Sequence, residues 1–238
     1  MRELEVLVAQ GELLLAALGD RELPAASGLP GLTVGQLARH LVQLVQLVAQ
    51  AAGTPSRGRP VALQAYVASV ADFAEAAPSI AARTDEVAGD PRPELRRALD
   101  AVLAVAGPDR TVQTPRGPLR LSDLALTCVV ELTVHGLDLG VTPVPDAVAV
   151  SVRGLARLLA DRHPGRAVEL RVAPYIAVQL LEGTVHRRGT PPAVVQTDPV
   201  TWLLLATGRL GWAEAVAELS VSASGERSDL SALLPVLR

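Results

Sequence analysis

Residues 121–140 read LSDLALTCVVELTVHGLDLG, and residues 141–145 read VTPVP. The first run is apolar around most of a helical circumference. It predicts a helix from a Ser122 cap to about Gly140, buried on several sides. The second run holds Pro143 and Pro145, and the character of the chain changes there. Upstream, apolar residues recur at helical spacing; downstream they mostly alternate. These two periods predict helices packed on helices, then a sheet with helices against it. The expected class is α+β, with one domain over residues 1–145 and a second, smaller one over 146–238.

Working outward, residues 1–19 place Leu4, Leu7, Val8, Leu14, Leu15 and Leu18 at helical spacing. Thr33 stands where it can cap a second helix ending at Ala52. An alanine-rich third helix starts near Leu63, and a further helix covers Glu94 to Ala106. The segment TVQTPRGPLRL (111–121) reads as a short extended hairpin or loop. Beyond the proline pair a helix over Ala147–Arg162 precedes alternating runs at Val168–Val172 and Ile176–Leu180. Further strands are expected at Ala193–Gln196 and Leu219–Ala223, in an antiparallel sheet. A helix between them, Pro199 to Ala217, should break at Gly208 or Gly211, and a last short helix follows Ser228.

Composition removes several classes of function. The 238 residues include 22 Arg and no Lys, so a Walker-A loop, a pyridoxal Schiff base and protein-kinase chemistry have no lysine to use. Only five aromatic residues occur, Tyr66, Phe73, Tyr175, Trp202 and Trp212, and the net charge is −3. Both argue against nucleic acid as a partner. The single Cys128 excludes an intramolecular disulfide, a CxxC redox pair and multi-cysteine zinc sites, which suits a cytoplasmic location. Glu3, Glu5 and Glu12 interrupt the N-terminal apolar pattern, which does not look like a signal peptide. Charges also break the most apolar stretch, so no membrane span is expected.

The chemistry concentrates on the 121–140 helix. Glu131 lies between Val129, Val130, Leu132 and Val134, and a buried carboxylate is costly unless it is paired, hydrogen-bonded or bound to a metal. His135 follows one turn later on the same face. A Glu and a His at i, i+4 can offer two ligands to one ion; the alternative is an ion pair from Glu131 to an Arg, with His135 a satisfied core residue. Cys128 lies near the same face, either as a further ligand or as a small buried hydrophobe. On the second helix, Gln36, His40 and Gln43 form a stripe that by pattern alone reads as a solvated polar face. His163 closes a helix end, and His186 with Arg187 and Arg188 forms a small basic turn, a solvated loop or an anion site.

TVGQLARHL, with His40, and VVELTVHGLDLG, with Glu131 and His135, resemble the two metal-ligand segments of the mycothiol-dependent maleylpyruvate isomerase family. The stretches RGTPPAVVQTDPVTWLLLATGRLGWAEAV and SVSASGERSDLSALLPVL look like its second domain, in the wording of actinobacterial sterol-carrier-like orthologues. The resemblance implies an N-terminal DinB-like four-helix bundle and a C-terminal domain similar to sterol carrier protein 2. It implies that His40, Glu131 and His135 bind one divalent metal, with zinc expected. It also implies mycothiol as the thiol cofactor and a catalytic role for Arg209, in the ATGRL segment, toward a carboxylate-bearing substrate at the domain interface. Arg209 could instead stack on Trp202 or Trp212.

Two functions are carried forward. One is a metal-dependent enzyme performing thiol-assisted isomerisation or transfer on a small acidic substrate. The other is a non-catalytic, sterol-carrier-like protein that binds an apolar ligand on a metal-stabilised scaffold.

Overall fold

The computed structural model describes residues 1–19, 21–69, 78, 80–82, 84, 89–183 and 193–237. The described chain divides into two compact units, Met1–Val150 and Ser151–Arg238.

The first unit is a helix bundle. Helix α1 spans Arg2–Leu18, α2 Val34–Ala52, α3 Leu63–Ala68, α4 Arg92–Ala104 and α5 Leu121–Asp138. Helices α1 and α2 each pack against both α4 and α5, so the four long helices surround one core. That core is built from one apolar stripe per helix, including Leu7 and Leu14 of α1, Leu37, Leu41 and Val45 of α2, Leu95 and Leu99 of α4, and Leu124 and Leu132 of α5. Most of the expected third helix beyond Ser69 lies outside the described residues.

Local chemistry sets the helix starts. The Thr33 hydroxyl accepts from the Gln36 N–H at 3.2 Å, and the Gln36 side chain accepts from the Thr33 N–H at 2.7 Å. This reciprocal capping box explains the polarity of Gln36, which pattern alone had grouped with His40. The start of α5 differs from expectation. Ser122 is inside the helix, and the Asp109 carboxylate caps the turn by accepting from the Ser122 N–H at 3.0 Å and its hydroxyl at 3.1 Å. A cap contributed from twelve residues before the helix leaves no local sequence pattern. Between α4 and α5, β1 (Thr111–Thr114) and β2 (Gly117–Arg120) form the hairpin, with Val112 and Leu119 both fully buried.

The second unit carries a four-stranded sheet with helices. In chain order the elements are α6 (Pro145–Arg162), β3 (Val168–Val172), β4 (Ile176–Leu180), β5 (Ala193–Thr197), α7 (Pro199–Ala206), α8 (Trp212–Ala217) and β6 (Val221–Ser224). Sheet order is β4-β3-β5-β6. The outer pairings are antiparallel, but β3 and β5 pair in parallel, Leu170 opposite Val195. The α+β class holds. Alternation reveals which face of a strand is buried and not its direction, so the parallel central pair had no signature. Trp202 is buried against α6, its indole N–H donating to the Val152 carbonyl at 3.4 Å.

Two details of this unit differ from the sequence expectation. The strand expected from Leu219 starts at Val221, and Leu219 is 88 % exposed with φ +57°. It occupies the left-handed position after α8, with Leu219 N–H bonded to Val216 O and Ser220 N–H to Ala215 O, a helix stop that normally uses glycine. The segment after Ser228 forms one 3₁₀ turn, Ser231–Leu233. No helix among the described residues is long and apolar enough to cross a membrane.

Candidate metal centre

Helix α5 places Glu131 and His135 one turn apart on one face, and the packing of α2 against α5 brings His40 to the same point. One ligand atom from each of the three residues lies within 4.8 Å of the other two. His135 Nε2 stands 3.2 Å from Glu131 Oε2, and His40 Nε2 stands 4.0 Å from the same oxygen. The two imidazoles meet edge to face, with centroids 5.2 Å apart and planes at 86°.

This donor set fits a divalent transition metal. Two imidazole nitrogens and one carboxylate oxygen are borderline ligands of the kind zinc takes, and tetrahedral bonds of about 2.1 Å put ligand atoms about 3.4 Å apart. The 3.2 Å pair is close to that separation, and the 4.0 Å pair is wider than it by roughly half an ångström. Three such donors would leave one position of a tetrahedral ion open, as catalytic zinc requires and structural zinc rarely has. The side chain of His135 is fully buried, whereas His40 and Glu131 keep 12 % and 18 % of theirs exposed, so the cluster is reachable from solvent.

Electrostatics agree with the geometry. Burial works against the charged form of Glu131, but the hydrogen bonds and positive charge offered by His135 and His40 outweigh it. The carboxyl is held well below the usual range. The alternative of an Arg partner for Glu131 is not what the fold supplies at this oxygen, which faces two histidines.

Cys128, raised from sequence as a further ligand, belongs to the apolar core and not to the ligand cluster. Burial, and secondarily the Glu131 charge, pushes its thiol well above the ordinary range. One residue was passed over in the sequence: Asp138, whose Oδ2 lies 2.8 Å from His135 Nδ1. Its signal was the spacing, three residues after His135 on the same helix.

Arg209 belongs to the second unit. The helix breaks as expected, at Gly208, whose φ of +71° provides the left-handed position that ends α7. Arg209 follows with its N–H on the Leu204 carbonyl at 2.8 Å and its half-buried guanidinium on the Thr207 carbonyl at 3.4 Å. His163 sits one residue beyond α6, and His186 lies outside the described residues.

Comparison with known proteins places this chain in a family. Residues 4–140 match the family model described as the mycothiol maleylpyruvate isomerase N-terminal domain, and residues 145–236 match the one described as bacterial SCP ortholog. A crystal structure of the mycothiol-dependent maleylpyruvate isomerase is similar at 17 % identity and TM-score 0.58, covering 94 % of this chain and 92 % of that one. A histidine-to-alanine mutant of that isomerase is similar at 16 % identity and TM-score 0.56, with coverage of 94 % and 92 %. At such identities the likeness establishes the fold. No curated protein sequence matches the chain. The N-terminal match spans more than half of the residues, and the chain belongs to the mycothiol maleylpyruvate isomerase N-terminal domain family, joined here to a C-terminal unit of the bacterial SCP ortholog type.

Proposed function

We propose that this protein is a metal-dependent enzyme for thiol-assisted isomerisation or transfer on a small acidic substrate, with mycothiol as the thiol. The observation that carries this reading is the convergence of His40, Glu131 and His135 on one point reachable from solvent. These three residues hold one divalent ion, for which zinc suits the donor set best. A divalent ion with an open position supplies Lewis acidity that keeps a bound thiol deprotonated near neutral pH.

The chain's own residues do the rest. Glu131, held ionised, brings a full negative charge against two imidazoles and leaves a net positive centre when a dication is bound. Selection of an acidic substrate needs a fixed cation, and without lysine only arginine can provide one. Arg209 takes that role in this proposal. Its main chain is fixed by the Gly208 stop, and a guanidinium can grip a carboxylate through two parallel hydrogen bonds.

The test uses protein purified without a polyhistidine tag. One equivalent of zinc by mass spectrometry, lost in His40→Ala, together with turnover of maleylpyruvate only when mycothiol is present, supports the proposal. Zinc bound with no thiol-dependent turnover, alongside saturable uptake of a fluorescent acyl chain, supports the non-catalytic carrier instead.

A further inference from the structure

Asp138 ends α5, and that position runs against the local electrostatic preference. The C-terminal end of a helix carries partial negative charge, and a carboxylate there is disfavoured unless its side chain has other work. Its side chain is only 8 % exposed and turns back one helical turn to meet His135 Nδ1 at 2.8 Å. In so dry a place the contact is poorly screened. An ionised carboxylate can only accept, so the shared proton belongs to Nδ1. In the neutral ring the single proton goes to the nearer carboxylate, at 2.8 Å against 3.2 Å for Glu131 Oε2, and Nε2 then turns its lone pair to the centre of the cluster; only the charged ring also donates from Nε2 to Glu131.

The main chain of Asp138 is held from both sides. Following residues close the helix, with Gly140 N–H on Leu137 O and Val141 N–H on Gly136 O. From across the bundle, the Gly28 N–H donates to the Asp138 carbonyl at 2.7 Å. Gly28 lies in the loop that leads into α2, where the Val34 N–H bonds Ala25 O and the Gly35 N–H bonds Leu23 O. That loop therefore fixes the start of the helix bearing His40 and the end of the helix bearing His135.

We propose that Asp138 is a positioning residue of this centre: its carboxylate keeps the His135 proton on Nδ1 and so presents Nε2 as a preformed metal ligand. The proposal rests on the reading of His40, Glu131 and His135 as ligands. Outer-sphere carboxylates of this kind typically change metal affinity by about tenfold to a hundredfold.

Two measurements on the full chain test it. In metal-free protein labelled with ¹⁵N-histidine at alkaline pH, His135 should show the Nδ1–H tautomer in the wild type and lose that preference in Asp138→Ala. In zinc competition titrations, Asp138→Asn should bind about tenfold to a hundredfold more weakly while the unfolding midpoint of the metal-free protein changes little. A wild-type Nε2–H tautomer, or undiminished zinc affinity in Asp138→Asn, overturns the proposal. Failure of the wild type to take up zinc instead overturns the metal reading, and the tautomer in metal-free protein then decides the role of Asp138 alone. That wild-type measurement also stands if the variants do not fold.

Discussion

The Gly28 N–H and the Asp138 carbonyl meet at 2.7 Å, and a β-carbon on Gly28 would stand 2.1 Å from that oxygen. The loop before α2 can approach the end of α5 only because residue 28 has no side chain. Gly28→Ala should force the two apart, with a cost of about 1–3 kcal/mol in urea unfolding. Zinc affinity should fall as well, since the displaced segments carry His40 and His135. A variant of wild-type stability would mean that the loop relaxes without strain.

Acid should act through Glu131. In metal-free protein its folded pKa lies below the unfolded value of about 4.3, so its contribution is fully present above that value and is lost as pH falls. Stability of the wild type should therefore drop on acidification below about pH 4.3, with a slope of up to about 1.4 kcal/mol per pH unit from this group. Glu131→Gln should lack that part of the slope in urea titrations between pH 2 and 5. Zinc should leave in acid too, because imidazole ligands bind only when neutral.

The Cys128 thiol should be silent in the folded protein. Ellman's reagent should react with it only after denaturant is added. Cys128→Ala should keep one zinc per chain and cost about 1 kcal/mol of stability. Loss of zinc from that variant would return the thiol to the ligand set.

Arg209→Lys should bind zinc as the wild type does and lose about tenfold to a hundredfold in thiol-dependent turnover, since an ammonium cannot reproduce the planar fork. Steady-state kinetics at saturating mycothiol check this. Unchanged turnover would remove Arg209 from the proposed machinery.

Leu219 holds a left-handed conformation that costs a leucine roughly 1–2 kcal/mol, and it gains little from burial at 88 % exposure. Leu219→Gly should raise stability by about 1 kcal/mol, after the extra entropy of glycine in the unfolded chain is offset. Urea unfolding followed by the fluorescence of Trp202 and Trp212, both in the same unit, reads this directly.

Sequence by itself determined what depends on neighbours within a turn or two. The helical stripes of α1, α2, α4 and α5 are legible because burial on one side of a helix imposes its period on the residues. The Thr33 cap and the break at Gly208 are legible because both are single-residue chemistry. So is the pairing of Glu131 with His135, since four residues on a helix make one face. Other features were settled only by tertiary structure. From pattern alone His40 was one member of a polar stripe, and its placement as a ligand came from resemblance; the packing of α2 on α5 brings it to Glu131. The Asp109 cap, the Gly28 contact and the parallel β3–β5 pair likewise join residues far apart in the chain. Periodicity records which side of an element is buried, and it carries no information about which distant residue arrives on that side.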